Sequence, residues 1–279
     1  MTGVPWRYSL CNEMFEGRAL ADVARLGAEI GYQGVELAPY TFAPLVTDLS
    51  AADRLQIRRE VEDVGLQVAG LHWLLARTPF RLNVPDKAER ERAAAYLLAL
   101  IDFCADVGGS ILVFGSPDQR DPAEGYPLEA AWASTVQVMR RCGERAAARG
   151  VTFCIEPLGT PFVTWVDDAL RLVQEVDSTG FRMMVDCKSM GQDARWPPSE
   201  QIRYAAPWFK HVHVNDPNLL GPGMGDLDFR PILAALRELA YDGWVSLEAF
   251  EFPGGPERIA RESLDNLAAA LRDSSSIIH

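Results

Sequence analysis

Histidine is scarce in this chain, with four in 279 residues, at His72, His211, His213 and His279. Basic residues are in deficit too, 27 Lys and Arg against 39 Asp and Glu, for a formal net charge of −12. That sign repels phosphate backbones, and no Lys/Arg cluster stands out against it, so nucleic acid is not the expected partner. No apolar run reaches the roughly 18 residues of a membrane span. The N-terminal stretch MTGVPWRYSLCNEM lacks a basic start followed by an apolar block. The expectation is no membrane partner and a cytoplasmic location. Five cysteines, Cys11, Cys104, Cys142, Cys154 and Cys187, are odd in number and form no CxxC pair. Neither a disulfide framework nor a zinc knuckle is suggested, and they read as small buried hydrophobes.

What the chain does have is a large apolar share, 48%, with 24% charged residues, as in a soluble protein with a sizeable core. Short apolar runs alternate with longer segments of helical period, and no low-complexity linker divides them. The candidate strands are YSLCNE, GVELAP, LQVAGLHW, SILVFGS, VTFCIEP, FRMMVDC, KHVHVND and WVSLEAF. Between them, Leu97, Leu100, Ile101 and Cys104 stand at i, i+3, i+4 and i+7. Trp132, Val136 and Met139 form a similar stripe, as do Leu264, Leu267 and Leu271 near the end. Thr164, with Asp167 three residues on, reads as a near capping box, and Gly31, Gly109, Gly150, Gly180 and Gly243 fall shortly before strands. Eight consecutive βα units match a closed (β/α)8 barrel, the TIM-barrel architecture, better than an open doubly wound sheet. No GxGxxG follows the first strand, and strands this apolar fit burial on both faces. The chain is thus expected to form one domain over residues 1–279.

Such barrels place chemistry at the C-terminal ends of their strands. The polar residues there are Glu13, Glu36, His72, Ser116, Glu156, Asp186, His213 and Glu248. Glu156, Asp186 and Glu248 each follow or interrupt an apolar strand, where an unpaired charge is costly. Pairing with arginine or exposure to water would account for any one of them. Three carboxylates and an imidazole from adjacent strands would instead make a mostly oxygen site for a divalent ion, favouring Mn2+, Co2+ or Mg2+ over structural zinc. Within FKHVHVNDPN, His211 and His213 point to one face of a strand. His213, nearer the C-terminal end, is the ligand candidate. His211 lies about 7 Å deeper by strand rise and reads as a second-layer hydrogen-bonding group or a core histidine.

CIEPL around Glu156, MMVDCKSM around Asp186, HVHVNDP around His213 and VSLEAF around Glu248 resemble, in order and spacing, the xylose isomerase-like barrels. That superfamily holds sugar phosphate isomerases, ketose 3-epimerases, inosose dehydratases and endonuclease IV. GLHWLL at 70–75 and LVFGSPDQR at 112–120 resemble its sugar isomerase/epimerase members. The resemblance implies that Glu156, Asp186, His213 and Glu248 bind one divalent metal ion, foremost Mn2+, with Co2+, Mg2+ or Zn2+ also admitted. It implies that Glu156 and Glu248 move protons in an isomerase or epimerase acting on a sugar or sugar derivative through a metal-stabilised enediolate. Ketose 3-epimerases carry a substrate-handling His three residues after the metal-binding Asp and an Arg six after the metal-binding His; here Ser189 and Leu219 stand there. A dehydratase or lyase of a keto-sugar or keto-cyclitol would use the same site. An endonuclease would need more histidines and less negative charge, and a non-catalytic barrel would be expected to have lost some of the four residues.

Around this core, His72, Trp73, Ser116, Arg120, Asn215 and Asp216 are the candidate substrate contacts. Trp73, with Trp6 and Phe15, would form an apolar wall for a sugar face or belong to the core. Arg120 would bind a phosphate or carboxylate, or pair with Asp118 or Asp121. Cys187 points away from the side that Asp186 faces and is not read as a nucleophile. The loop NDPNLLGPGMGDLD, 215–228, is long for a βα connection and is expected to lie over the metal mouth, with Asn215 and Asp216 fixing its base. A small carbohydrate is the expected partner, and a homo-oligomer is compatible with the sequence.

Overall fold

The computed structural model describes residues 4–274; His279 lies outside them. Eight parallel strands close into a barrel in the order β1 to β8. They are β1 (Arg7–Cys11), β2 (Gly34–Leu37), β3 (Gln67–Leu71), β4 (Ile111–Phe114), β5 (Thr152–Ile155), β6 (Phe181–Asp186), β7 (Phe209–Val214) and β8 (Trp244–Leu247). Each lies inside or overlaps one of the eight apolar runs. The barrel closes because β8 pairs back onto β1, with Ser9 opposite Ser246.

The helices are α1 (Leu20–Ile30), α2 (Ala51–Glu62), α3 (Lys87–Asp106), α4 (Pro117–Arg120), α5 (Leu128–Arg149), α6 (Val166–Val176), α7 (Cys187–Gln192), α8 (Pro198–Ala205), α9 (Phe229–Glu238) and α10 (Pro256–Ser274). On α3 the spacing of Leu97, Leu100, Ile101 and Cys104 puts all four on the face turned to the sheet, and all four are fully buried. Complete burial of a Leu or Ile side chain contributes about 1.5–3 kcal/mol. Met139 of α5 is buried as expected, but Trp132 and Val136 are only partly covered. Gly31 and Gly150 end α1 and α5 in the left-handed conformation, where a Cβ would be strained.

One start signal falls a residue away from its expected place. Helix α6 begins at Val166, and Asp168, not Asp167, accepts from the Thr164 and Trp165 amides at 3.0 and 3.2 Å. Asp167 instead pairs with Arg195 at 2.9 Å. The carboxylate that can fold back is set by where the helix turn starts, which the sequence pattern locates only to within a residue or two.

The period of two in the strands separates two buried regions. One set of side chains meets the helices; the other fills the barrel, where Ala69, Ile111, Val113, Cys154, Met184 and Trp244 form their own apolar cluster. Cys154 and Met184 stand two residues before Glu156 and Asp186, and Trp244 four before Glu248. They therefore form a floor beneath the polar strand ends. All five cysteines are buried and free. Among the described residues no helix is long and apolar enough to cross a membrane.

Candidate active site

Glu156 follows β5, Asp186 ends β6, His213 lies near the end of β7 and Glu248 follows β8. Pairing in register sets Asp186 opposite His213. One donor atom from each of the four lies within 4.8 Å of the others, and all four residues are buried. A register shift between Met183 and Val185 precedes Asp186, an irregularity that re-aims the strand end. Asp186 is also the N-cap of α7: its Oδ1 accepts from the Ser189 amide at 2.8 Å, while Oδ2 accepts from the Asn215 side chain at 2.7 Å. The carboxylate is thus held in orientation before any ligand arrives. Gly115 makes room for Glu156, because a Cβ there would overlap its Oε2.

Like charges crowd this cluster. Burial, reinforced by the nearby Glu248 and Asp186 carboxylates, pushes Glu156 up to about 8. No side-chain hydrogen bond reaches the Glu156 carboxylate among the described residues. Burial also opposes ionisation of Glu248, but the His213 charge and a contact of 3.1 Å to its Nδ1 outweigh it and hold Glu248 below the usual range. Three carboxylates and one imidazole, with one acid left uncompensated, are a donor set that fits a hard divalent cation.

Beside it stand further acids, each of which has a histidine. Glu36 of β2 reaches His211 Nε2 at 2.8 Å and His213 Nε2 at 3.1 Å. Burial works against its charge, yet the two imidazoles hold it well below the usual carboxylate range. Glu13, just past β1, lies 2.6 Å from His72 Nε2. His211 therefore bonds within the barrel, with its Nδ1 left without a partner. Other groups of three, Cys11–Glu36–His72, Glu36–His211–His213 and Glu13–His72–Glu248, are also close enough to share an ion. Their carboxylates differ in that each of Glu13 and Glu36 already faces an imidazole.

A cavity of about 170 Å³ opens above the cluster, lined by His72, Trp73, Ser116, Glu156, Lys188, Glu248 and Phe250 among others. That volume suits a small polar molecule. Trp73 and Ser116 both hold left-handed backbone, φ 53° and 44°, a strain that persists where surrounding structure fixes it. A larger groove of about 780 Å³ lies between α5 and the segment before α6, but none of the clustered acids or histidines faces it.

Of the expected substrate contacts, His72, Trp73 and Ser116 line the cavity, whereas Arg120, Asn215 and Asp216 do not. Arg120 is fully buried: its guanidinium donates to the carbonyls of Glu156 at 2.6 Å and Phe162 at 3.0 Å, bracing the loop after β5. Of the two acids considered as partners in the sequence, Asp121 is the one it meets, at 3.7 Å. Asn215 is spent on Asp186 and on the Lys188 amide. Asp216 accepts from the Leu227 amide at 3.3 Å, fixing the base of the long loop as expected. The loop itself runs elsewhere than expected, with Gly221 and Gly223 packed on Ser263 and Asn266 of α10 and no residue of 216–228 on the cavity. Trp6 and Phe15 are core residues. Cys187 is buried, and burial pushes its thiol far up, so it is inert. Lys188 and Phe250 were not singled out in the sequence; the neighbouring DCKS and LEAF stretches were the available signal.

The sequence pattern described as Xylose isomerase-like TIM barrel matches residues 24–270. The chain belongs to that family. A D-psicose 3-epimerase of Agrobacterium fabrum is 24% identical over 239 residues, 82% of this chain and 78% of that protein. Another, from Ruminiclostridium cellulolyticum, is 26% identical over 182 residues, covering 62% of this chain and 61% of the relative. Inosose dehydratases are among the family's other members similar to it. The solved structure of an L-ribulose 3-epimerase superposes with a TM-score of 0.82 at 17% identity, over 98% of both chains. The sequence matches support an enzyme, and a sugar isomerase or epimerase in particular, while the structural likeness bears on the fold.

Proposed function

We propose that the chain is a divalent-metal-dependent isomerase or epimerase of a sugar or sugar derivative, moving a proton alpha to a carbonyl. The observation that carries this reading is that Glu156 and Glu248 both belong to the four-residue cluster and both line the cavity. Glu156, Asp186, His213 and Glu248 would hold the ion, for which Mn2+ is the leading candidate. A bound divalent ion supplies Lewis-acid stabilisation of the negative charge that develops on carbonyl and hydroxyl oxygens. Glu156 and Glu248 take and return the proton, and their opposed surroundings, one pushed up and one held down, fit an acid and a base working as a pair. Glu36 and His211 position His213, as outer-shell carboxylates and imidazoles do for ligating histidines.

A metal-dependent dehydratase of a keto-sugar or keto-cyclitol is the second reading, favoured by the inosose dehydratases among the relatives. It shares the first proton abstraction, after which a β-hydroxyl leaves. Incubation in D2O with ketoses, ketose phosphates and keto-inositols separates the two. A labelled epimer supports the isomerase, and a product lighter by one water supports the dehydratase. If every carbonyl compound stays unlabelled while esters are cleaved, proton abstraction is wrong and the site activates water.

A further inference from the structure

Lys188 is the one permanent cation among the described residues that line the cavity. Its backbone is fixed: the amide donates to Asn215 Oδ1 at 2.8 Å, and the same Asn215 donates to Asp186 at 2.7 Å. The side chain therefore starts from a point locked to the candidate ligand set. Its ammonium lies 4.2 Å from the Phe250 ring centroid and makes no salt bridge or hydrogen bond among the described residues. An aromatic face steadies a cation without using its N–H donors, so all three remain open to a ligand. Trp73, Pro117, Leu158 and Phe250 make the surrounding wall apolar, where opposite charges attract more strongly than in water. The nearest acids, Glu156, Asp186 and Glu248, are those proposed to face the divalent ion. A divalent ion would neutralise two of their three charges, so the ammonium is balanced by the cluster as a whole and not by an acid paired with it.

We infer that Lys188 selects the substrate by holding an anionic oxygen group, a carboxylate or a phosphate, on a small molecule seated against Trp73 and Phe250. A lysine suits this as a compact point charge on a flexible stem. The inference deepens the proposed function and rests on it, narrowing the substrate class from sugars to their acids or phosphate esters.

Calorimetric titration of the purified full chain with glycerate, glycerol 3-phosphate and glycerol tests it, with and without Mn2+, on the wild type and on K188M, K188Q and K188R. Far-UV circular dichroism identifies any variant that fails to fold. The wild type and K188R should bind at least one anion tenfold or more tightly than glycerol, and the stronger of the two anions tells carboxylate from phosphate. K188M and K188Q should lose at least tenfold of that preference while keeping their weak affinity for glycerol. An unchanged preference in these variants, or none in the wild type, overturns the inference. Mn2+ binding is read in the same titrations. Bound Mn2+ without a Lys188-dependent preference sinks this inference alone, whereas a Lys188-dependent preference in a protein that takes up no Mn2+ sinks the metal reading and leaves this one standing.

Discussion

The two halves of the barrel carry the same residue types to one rim and partner them differently. From β1 to β3 come Glu13, Glu36 and His72, and each of these acids faces an imidazole, Glu13 that of His72 and Glu36 those of His211 and His213. From β5 to β8 come Glu156, Asp186 and Glu248, which share the single imidazole of His213 among them. In the first half the imidazoles hold Glu36 well below the usual carboxylate range, while burial still raises Glu13. In the second, burial and like charge drive Glu156 up to about 8. The difference lies in the partners: Glu13 and Glu36 each face an imidazole, whereas among the described residues no side-chain hydrogen bond reaches the Glu156 carboxylate.

That contrast is broken most sharply by removing charges one at a time. E156Q and E248Q should each lower turnover on the substrate found by deuterium labelling by roughly 10²–10⁴-fold or more, as loss of a proton-transfer group does. E13Q, in the first half, should cost far less. Equal losses in steady-state assays of all three would erase the distinction between the halves.

A middle-sized effect is expected where the halves touch. Glu36 reaches His213, so E36Q should weaken Mn2+ binding by about 10–100-fold, and H211N should fall toward the lower end of that range. Complete loss of metal in H211N, with H213A still loaded, would assign the ion to the other histidine.

The relative depth of His211 and His213 was legible in the sequence because strand rise orders them. So were the eight strands and the four clustered residues, since apolar runs ended by an acid or histidine are unusual enough to stand out. Arg120 was not legible. A buried guanidinium that braces carbonyls of the β5 loop looks, in sequence, the same as one reaching for substrate. The path of the 215–228 loop depended on where Gly221 and Gly223 meet α10, a contact between distant segments. Lys188 and Phe250 acquire meaning only when two strand ends bring an ammonium over a ring.

The smallest effect is thermodynamic and concerns the metal-free protein. Glu156 has its folded-state value raised from near 4.5 to about 8, so its contribution to stability is fully present below pH 4.5 and is lost as pH rises through 8. His213, also raised, acts in the same direction, while Glu36 and Glu248, both lowered, lose their contributions only in more acidic solution. The free energy of unfolding after EDTA treatment should therefore fall between pH 5 and 8, by on the order of a few kcal/mol at most, and the melting temperature with it. Mn2+ at 100 times Kd should add about 2.7 kcal/mol and flatten the slope. A flat metal-free profile would show that the acids of β5 to β8 are compensated after all.

Anomalous diffraction from crystals grown with Mn2+ locates the ion directly. The account predicts one strong peak bounded by Glu156, Asp186, His213 and Glu248, with Glu13 and Glu36 still on their histidines. A peak at Glu36–His211–His213 or at Glu13–His72–Glu248, with none among the first four, would contradict it.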